Sequence, residues 1–239
     1  MVLIDECSQA SLTLALLGMV KARKWVLVGD HKQLLPIFQT IDIGDKKMQE
    51  KLSAFCYMLE KYGERSVWLR WHYRSNSEII GFSSRYIYHG KIAPVEACKN
   101  IKLSIRSYPS NMEFLKPELP VVFIYVESTE AARSDGSRLN EAEAEVVKKI
   151  IYTLKSLGVK SNEIGVITPY RAQRDYIKEH LKDDEIEINT VDSFQGREKD
   201  VIVFSVTSTG DLSFVEDENR LNVAFTRAKK KLIVVGNAK

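Results

Sequence analysis

The sequence contains no apolar run long enough to cross a membrane. Its longest apolar runs, residues 121–126 and 201–206, have the length of β-strands, whereas a spanning helix needs about 20 apolar residues. Asp5 and Glu6 interrupt the first apolar run, so the opening segment does not show the pattern of a signal peptide. We therefore expect a protein that works in the cytoplasm, or in the nucleus of a eukaryotic cell, without contacting a membrane.

Cysteine is scarce, and the charges nearly balance. Cys7, Cys56 and Cys98 show none of the spacings of zinc ligands, and an odd, scattered set indicates free thiols in a reducing compartment. The 35 lysines and arginines against 32 aspartates and glutamates leave a net charge of +3. That charge is too small to indicate nucleic-acid binding by itself.

Short β-branched runs alternate with segments of helical periodicity. Predicted strands lie at residues 2–4, 24–29, 121–126, 164–168, 186–191, 201–206 and 232–235. Most of them are continuously apolar, which is typical of strands buried on both faces of a parallel sheet. The alternation of strands and helices predicts an α/β fold with a doubly wound parallel sheet.

The clearest helix is predicted from about residue 141 to 157. Asn140 and Glu143 form an expected N-terminal capping pair, and Gly158 is an expected stop. The apolar stripe of this helix consists of Val146, Val147, Ile150, Ile151, Leu154 and Leu157. Four of the six prolines fall within residues 94–120, which predicts an irregular connector there.

Asp5 and Glu6 follow the first predicted strand, at the end where ligands bind in open α/β sheets. A carboxylate pair there is suited to holding Mg²⁺ and orienting an attacking water. The alternative interpretation is that the two acidic residues simply mark a solvated strand end. Gln33 follows the next strand; it could hydrogen-bond a γ-phosphate, and an ordinary strand-to-helix turn would explain it equally well. Because a domain seldom begins at a central strand, we expect further chain upstream.

Two arginines are candidates for contacting phosphate. Arg74 follows Tyr73, which could stack on a base, while a simple surface pair is the alternative interpretation. Arg227 is predicted to lie on a helix over residues 220–228, from which it could reach a phosphate as a bidentate donor.

The residues around these arginines also receive predictions. Trp68 and Trp71 are predicted to lie in the core, and residues 229–231 (KKK) are predicted to form a solvated helix end. Gly196, within residues 191–198, would let the backbone approach a ligand closely.

Taken in order, these segments resemble the superfamily 1 helicases. The resemblance is to the branch of RNA-surveillance, senataxin and nuclease-helicase relatives, which move 5′ to 3′. It covers nearly the whole chain. The matching segments are DECSQ (5–9), GDHKQLLP (29–36), HYRSN (72–76), ITPYRAQR (167–174), VDSFQGREKDVIVFS (191–205) and RLNVAFTRAKKKLIVVG (220–236).

The resemblance implies ATP and Mg²⁺ as ligands and a role for each matching residue. Asp5 is the implied Mg²⁺ ligand, Glu6 the catalytic base and Gln33 the γ-phosphate sensor. Arg74 and Arg227 are the implied arginine fingers.

Further implied roles concern the nucleotide and the nucleic acid. Glu198 would contact the ribose or phosphates, with Gly196 on the same segment, and Tyr73 would contact the adenine. Single-stranded DNA or RNA would lie along Thr168, Pro169, Tyr170, Thr190 and Ser193.

Residues 1–70 are the implied C-terminal half of a first RecA-like domain, and residues 71–239 a complete second one with a connector at about 94–120. Cys7 stands where the family usually has alanine, a change we expect to be harmless. The phosphate-cradling pattern G-x-x-x-x-G-K-[ST] does not occur in the sequence.

Three hypotheses of function remain open at this stage. The chain is the C-terminal part of a helicase that is inactive alone, or a non-catalytic module that binds single strands. In the third, it is one half of a split helicase, and another chain supplies the first RecA-like half.

Overall fold

The computed structural model describes residues 1–38, 45–210, 212 and 216–237. The chain forms two compact units, Met1–Leu69 and Arg70–Lys239, and each has an apolar core cluster of its own. Over the described residues, no helix is both long enough and apolar enough to cross a membrane.

The smaller unit contains a two-stranded parallel sheet of β1 (Val2–Ile4) and β2 (Trp25–Leu27), joined through α1 (Leu12–Met19). Helices α2 (Lys46–Leu52) and α3 (Ala54–Tyr62) follow. The strand predicted at 2–4 is confirmed, and the one at 24–29 is shorter than predicted. The buried core of the smaller unit consists of Cys7, Ala15, Met19 and Ala54.

Serine hydroxyls organise the helix starts of this unit. Ser11 caps α1 by accepting from the Leu14 N–H at 3.3 Å. Ser53 caps α3 and also donates to the Ser8 carbonyl at 2.8 Å, which ties α3 to the loop after β1. The capping serines therefore set where α1 and α3 begin, and Asp45 caps α2.

The larger unit is built on a five-stranded parallel sheet with strand order β5-β11-β10-β8-β9. Its strands are β5 (Val121–Tyr125), β8 (Ile164–Thr168), β9 (Glu187–Thr190), β10 (Lys199–Ser205) and β11 (Ala228–Gly236). The larger unit also contains two separate two-stranded sheets. One pairs β3 (Trp71–His72) with β4 (Ala93–Pro94), and the other pairs β6 (Ala131–Ala132) with β7 (Arg138–Leu139).

Helices pack on both faces of this sheet. They are α4 (Ser77–Phe82), α6 (Glu141–Ser156), α7 (Arg171–Leu181) and α8 (Glu218–Phe225). The short helix α5 (Glu96–Lys99) has no buried residue. Val203 of β10 lies in the cluster with α6, whereas the next residue, Phe204, contacts Phe225 of α8 edge to face. Successive side chains of a strand point to opposite faces, so the predicted α/β fold with a parallel sheet is confirmed.

Burial on both faces holds only for the central strands. β8 is buried along its whole length, as are residues 201–205 of β10. Among the described strands, β5 pairs with β11 alone, and this edge strand leaves Val121, Phe123 and Tyr125 exposed on one face. The prediction that the continuous apolar run at 121–126 is buried on both faces is therefore wrong. It is also wrong for β1 and β2, which have exposed residues.

Helix α6 confirms the sequence prediction closely. The Asn140 side chain accepts from the Glu143 N–H at 3.1 Å, and Gly158 adopts φ +90° after the last turn, a conformation that favours glycine. Four stripe residues are buried, and Val146 and Leu157 pack at the edge of the same core.

The proline-rich segment 94–120 contains little regular structure besides α5 and a 3-10 turn at Glu113–Leu115. Leu103 and Leu115 in this segment are buried in the main core.

Candidate functional site

The carboxylates of Asp5 and Glu6 lie exposed at the carboxyl end of β1, as predicted. The Asp5 carboxylate accepts from the Glu6 N–H at 2.9 Å, and Glu6 has a left-handed φ of +49°. In the part of the chain that the structure describes, no group of three or more histidine, cysteine or acidic side chains converges as a metal cage. The exposed pair instead fits Mg²⁺, which commonly keeps water ligands and uses one or two protein carboxylates.

The side chain of Gln33 is oriented by its own loop. Its amide donates to the Asp30 carboxylate at 2.9 Å, and the Asp30 carboxylate also accepts from the Lys32 N–H at 2.9 Å. Gly29 begins this loop, and a Cβ at Gly29 would lie 2.9 Å from the Ser8 main-chain nitrogen. Glycine therefore allows the loop after β2 to lie against the loop after β1.

In the larger unit, the structure brings Arg74 and Glu198 together. The Arg74 Nε donates to Glu198 Oε2, and its Nη1 donates to the Thr226 carbonyl at 3.0 Å. Lys229 pairs with the other oxygen, Oε1, of Glu198 at 2.7 Å. Hydrogen bonds from Lys229 and Arg74 lower the pKa of Glu198 to about 2, so this carboxylate is ionised at neutral pH.

Arg227 does not lie on a helix, which corrects the prediction for residues 220–228. Helix α8 ends at Phe225, where the Thr226 hydroxyl bonds back to the Asn222 carbonyl at 2.6 Å, and β11 begins at Ala228. Arg227 is buried in the turn between them, and its Nε donates to the Val223 carbonyl at 3.0 Å.

The three lysines after this turn form part of β11, so the predicted solvated helix end is wrong. Lys229 pairs with Glu198, and Lys230 pairs with Asp200 at 2.7 Å. Lys231 is buried, and its amine donates to the Lys116 and Leu119 carbonyls at 3.1 and 2.6 Å. Burial lowers the pKa of Lys231 to about 8. A run of lysines in a strand alternates between the faces of the sheet, which is why its members differ.

His72 is a member of this region that the sequence did not reveal. Its Nε2 accepts from the Ser75 N–H at 2.9 Å, which requires that nitrogen to carry no proton. Burial first, and then the charges of Arg74 and Arg227, lower the pKa of His72 to about 4. Both arginines are therefore close enough to His72 to act on it electrostatically.

Tyr73 and the two tryptophans before it in the sequence are exposed, as the prediction for Tyr73 allows and the prediction for the tryptophans does not. Tyr73 is 74% exposed, and Trp68 and Trp71 are 38% and 62% exposed, so the prediction that both tryptophans lie in the core is wrong.

The residues predicted to bind a nucleic-acid strand lie at the carboxyl ends of β-strands β8 and β9. Thr168 and Thr190 are register partners in these two strands. The Thr168 hydroxyl lies 3.0 Å from that of Thr207, and the Thr190 hydroxyl donates to that of Ser193 at 3.2 Å. Tyr170 is half-buried, and Pro169 is buried beside it.

Gly196 adopts φ +77°, and a Cβ on it would meet no neighbouring atom within 4 Å. The backbone conformation of the turn, and not tight packing against the protein, is what favours glycine at this position.

Comparison with known proteins identifies the family. A family model described as AAA domain matches residues 50–239, and a second model with the same description matches residues 1–40. An uncharacterized ATP-dependent helicase of Methanocaldococcus jannaschii is 38% identical over 99% of this chain and 35% of its own length. The DNA polymerase alpha-associated DNA helicase A of Saccharomyces cerevisiae is 35% identical over 98% of this chain and 38% of its own length.

The chain belongs to the AAA-domain helicases of superfamily 1. It spans little more than a third of the length of either relative. The structure of the PRRSV helicase is similar in fold, with a TM-score of 0.51 and 16% identity over 98% of this chain and 34% of that one. The five-stranded sheet with its flanking helices is accordingly RecA-like.

The larger unit also contains a buried polar network that the sequence did not predict. Glu143 is fully buried on α6, where its Oε2 accepts from the Thr207 N–H and from the Ser205 hydroxyl, both at 2.8 Å. Gln173 exchanges hydrogen bonds with the main chain of Asn140 at 2.8 and 3.0 Å. Burial is the main cause that raises the pKa of Glu143 to about 7.

A signal for this network was present in the sequence. Glu143 stands four positions before Val147, in line with the apolar stripe of α6. A carboxylate on the buried face of a helix has to find hydrogen-bond partners inside the protein.

Proposed function

We propose that the chain is the C-terminal part of an ATP-dependent helicase or single-strand translocase, and that it does not hydrolyse ATP by itself. The grouping of Arg74, Glu198 and Arg227 in the larger unit is the observation that supports this function best. Arginine remains charged at any physiological pH, and arginines at a transferring phosphoryl group stabilise the charge of the transition state. The relatives named above are ATP-dependent or DNA helicases, which supports the same function.

Glu198 pairs with both Arg74 and Lys229. Because of the second pair, Arg74 could leave Glu198 without exposing an uncompensated carboxylate. When Arg74 turns toward a phosphate oxygen, Lys229 continues to compensate the charge of the carboxylate. We propose that Glu198 then contacts the ribose or phosphates, with Gly196 on the same segment. The exposed ring of Tyr73 is the proposed contact with the adenine.

The smaller unit would supply the groups that act on the metal and the water. Asp5 would hold Mg²⁺ directly or through water, and bound Mg²⁺ neutralises charge on the phosphate oxygens. Glu6 would accept the proton of the attacking water. Gln33, oriented by Asp30, would hydrogen-bond the γ-phosphate.

The strand-binding surface would be formed by the carboxyl ends of β8 and β9. Its proposed members are Thr168, Pro169, Tyr170, Thr190 and Ser193. Thr168, Pro169 and Thr190 are buried, so the side chains of the half-buried Tyr170 and the exposed Ser193 are the ones that a nucleic-acid strand could contact directly. Contacts from this surface to the sugar–phosphate backbone of single-stranded DNA or RNA would make binding sensitive to salt and largely independent of sequence.

The smaller unit is also proposed to bind the first half of a RecA-like domain, from the same parent chain or another one. Support comes from apolar side chains that remain exposed on β1, β2, α1 and the residue after α1: Leu3, Leu14, Leu17, Val20, Trp25 and Val26. An apolar surface of this kind on a soluble protein is typical of an interface.

A test combines ATP hydrolysis with strand binding. The 239-residue chain is assayed for turnover stimulated by single-stranded oligonucleotides, beside Arg227→Ala and the exposed-residue control Arg106→Ala. We expect binding of the oligonucleotide and no turnover. In a longer protein that includes a phosphate-binding loop, we expect turnover that Arg227→Ala abolishes and Arg106→Ala retains.

Each outcome bears on a different part of the proposal. Turnover by the 239-residue chain that Arg227→Ala removes would disprove its inactivity. Full turnover by the longer Arg227→Ala protein would disprove the role of that arginine. Strand binding without turnover in the longer protein would favour the alternative function, a non-catalytic binding module; the missing phosphate-loop pattern is the feature that favours that alternative.

A further inference from the structure

A second group of donors is formed by the loop that follows β10 together with Arg138 of β7, and a carboxylate of the same chain occupies it. Glu130 Oε1 accepts from the Arg138 guanidinium at 2.8 Å and from the Gly210 N–H at 3.3 Å. Its Oε2 accepts from the Thr209 N–H at 2.9 Å and also from the Thr209 hydroxyl. Four donors from two separate segments therefore converge on one anion.

The backbone of this loop is shaped to present consecutive N–H groups. Thr207 has a φ of +69°, which is unfavourable for a β-branched residue. The hydrogen bond from its N–H to the buried Glu143 helps to hold that conformation. Two residues further on, the N–H groups of Thr209 and Gly210 both point to Glu130, and successive N–H groups that point to one side form a concavity that binds anions.

The donors match a phosphodiester group as well as they match a carboxylate. Both anions carry one negative charge and present two equivalent oxygens. Arginine with main-chain N–H and hydroxyl donors is the usual set for contacts with the nucleic-acid backbone. A Cβ at Gly210 would stand 3.6 Å from Glu130 Oε1, an ordinary van der Waals contact, so Gly210 lies directly beside the bound carboxylate.

The surroundings of the site favour a nucleic-acid strand as the source of that phosphate. Arg138 lies over the ring of Tyr170, with 5.8 Å from its Cζ to the ring centroid, and donates to the Ser208 hydroxyl at 2.9 Å. An aromatic ring beside a backbone-binding cation is the combination that single-strand-binding proteins use. Tyr170 also belongs to the proposed strand-binding surface.

We infer that Arg138, Thr209 and the Gly210 N–H form a binding site for one phosphodiester group of a nucleic-acid strand, and that Glu130 occupies this site until the strand displaces it. The inference rests on the proposed function for its ligand. Glu130 is thus an internal competitor of the strand, and removing its charge strengthens binding of the strand.

One measurement tests the anion site without any nucleic acid. Inorganic phosphate is titrated into the full chain, and the amide resonances of Thr209 and Gly210 are followed by NMR in the wild type, Glu130→Gln and Glu130→Ala. We expect these amides to shift at lower phosphate concentrations in both variants than in the wild type. Amides of Thr209 and Gly210 that do not respond in either folded variant would overturn the site.

A second measurement tests the strand as the ligand. The affinity for a labelled single-stranded oligonucleotide is measured across a series of salt concentrations. We expect Glu130→Gln to bind roughly tenfold tighter at low salt, since the competing charge is gone. Arg138→Met should bind more weakly, and the slope of log affinity against log salt should decrease by about 0.7, the value for one phosphate contact on a single strand.

A matched ion pair elsewhere in the same unit provides the control. Lys155 and Asp183 pair between the last turn of α6 and the segment after α7. Asp183→Asn and Lys155→Met should leave the affinity and its salt slope unchanged. Equal effects of the two sets of variants would contradict a local phosphate contact.

The two measurements separate this inference from the proposed function. A response to phosphate with unchanged oligonucleotide affinity in Glu130→Gln would overturn the strand as ligand and leave a site for free phosphate. A wild-type chain that binds no strand, with variants that do respond to phosphate, would contradict the proposed function and retain the anion site.

Discussion

Arg74 and Glu198 are 124 positions apart in the sequence, and the guanidinium of one donates to the carboxylate of the other. The same guanidinium reaches the Thr226 carbonyl, next to Arg227. Three segments that carry proposed nucleotide-binding residues are therefore linked by one side chain. The exposure of the pair, 27% for Arg74 and 40% for Glu198, indicates that solvent screens it and that its effect on stability is small.

Arg74→Lys should reduce hydrolysis far more than strand binding. A lysine ammonium cannot bridge Glu198 and the Thr226 carbonyl in the planar geometry of a guanidinium. In the longer protein that contains a phosphate-binding loop, we expect kcat to decrease by roughly 1000-fold, the effect of losing an arginine finger. Steady-state kinetics and oligonucleotide binding measure the two effects, with Arg106→Lys as the control. A kcat within a factor of a few of the wild type would contradict the proposed role.

Glu143→Gln should change how stability depends on pH. The pKa of Glu143 is about 7 in the folded chain, against an ordinary value of 4.5, so the folded state binds more protons between these values. Stability from this group therefore increases as pH falls from 7.5 to 5, by on the order of 2 kcal/mol. Because His72 acts in the opposite direction over the same pH range, the gain is measured as a difference between proteins. Urea unfolding should show that the stability of the wild type relative to Glu143→Gln is greater at pH 5 than at pH 7.5 by this amount. An identical pH dependence in both would argue against a buried, titrating carboxyl group.

His72→Gln should have the opposite effect on the same measurement. The pKa of His72 is about 4 in the folded chain against 6.5 ordinarily, so the unfolded state binds more protons between these values. Stability from this group is lost as pH falls from 6.5 toward 4, and the loss at pH 5 is about 2 kcal/mol. Glutamine retains an acceptor for the Ser75 N–H without titrating, so the variant should lose less stability on acidification. A variant as acid-sensitive as the wild type would exclude His72 as the cause.

Gly29→Ala should destabilise the smaller unit, and Gly63→Ala should not. A Cβ at Gly29 would meet the Ser8 nitrogen at 2.9 Å and the Phe55 ring at 3.0 Å, whereas one at Gly63 would meet nothing within 4 Å. We expect a loss of about 1–3 kcal/mol for the first substitution, the usual effect of overpacking, and a change within about 0.5 kcal/mol for the second. Denaturant unfolding of the full chain provides the comparison. Equal stability of the two variants would contradict close packing of the two loops.

Local signals in the sequence were enough to predict individual elements. The strand at 164–168 appears with the predicted bounds, and α6 begins after Asn140 and ends before Gly158. The apolar run and the capping residues responsible for them lie within or beside the element itself. Motif order along the chain was also enough to indicate the helicase family, since a motif is a local pattern.

Properties that depend on distant neighbours were decided by the tertiary structure. The apolar run of β5 could not show that this strand would be an edge, because that depends on its having only β11 as a partner. The lysines at 229–231 could not be placed on β11 before the turn at Thr226 was known to end α8.

The same distinction between local signals and distant contacts applies to the candidate site. Asp5, Gln33, Arg74 and Arg227 could be proposed from their motifs, because a motif carries its residue types in sequence order. The pairing of Arg74 with Glu198, the partners of Glu143 at Ser205 and Thr207, and the contact of Glu130 with Thr209 do not appear in any local pattern. These contacts join residues many positions apart, and only folding brings their charges to hydrogen-bonding distance.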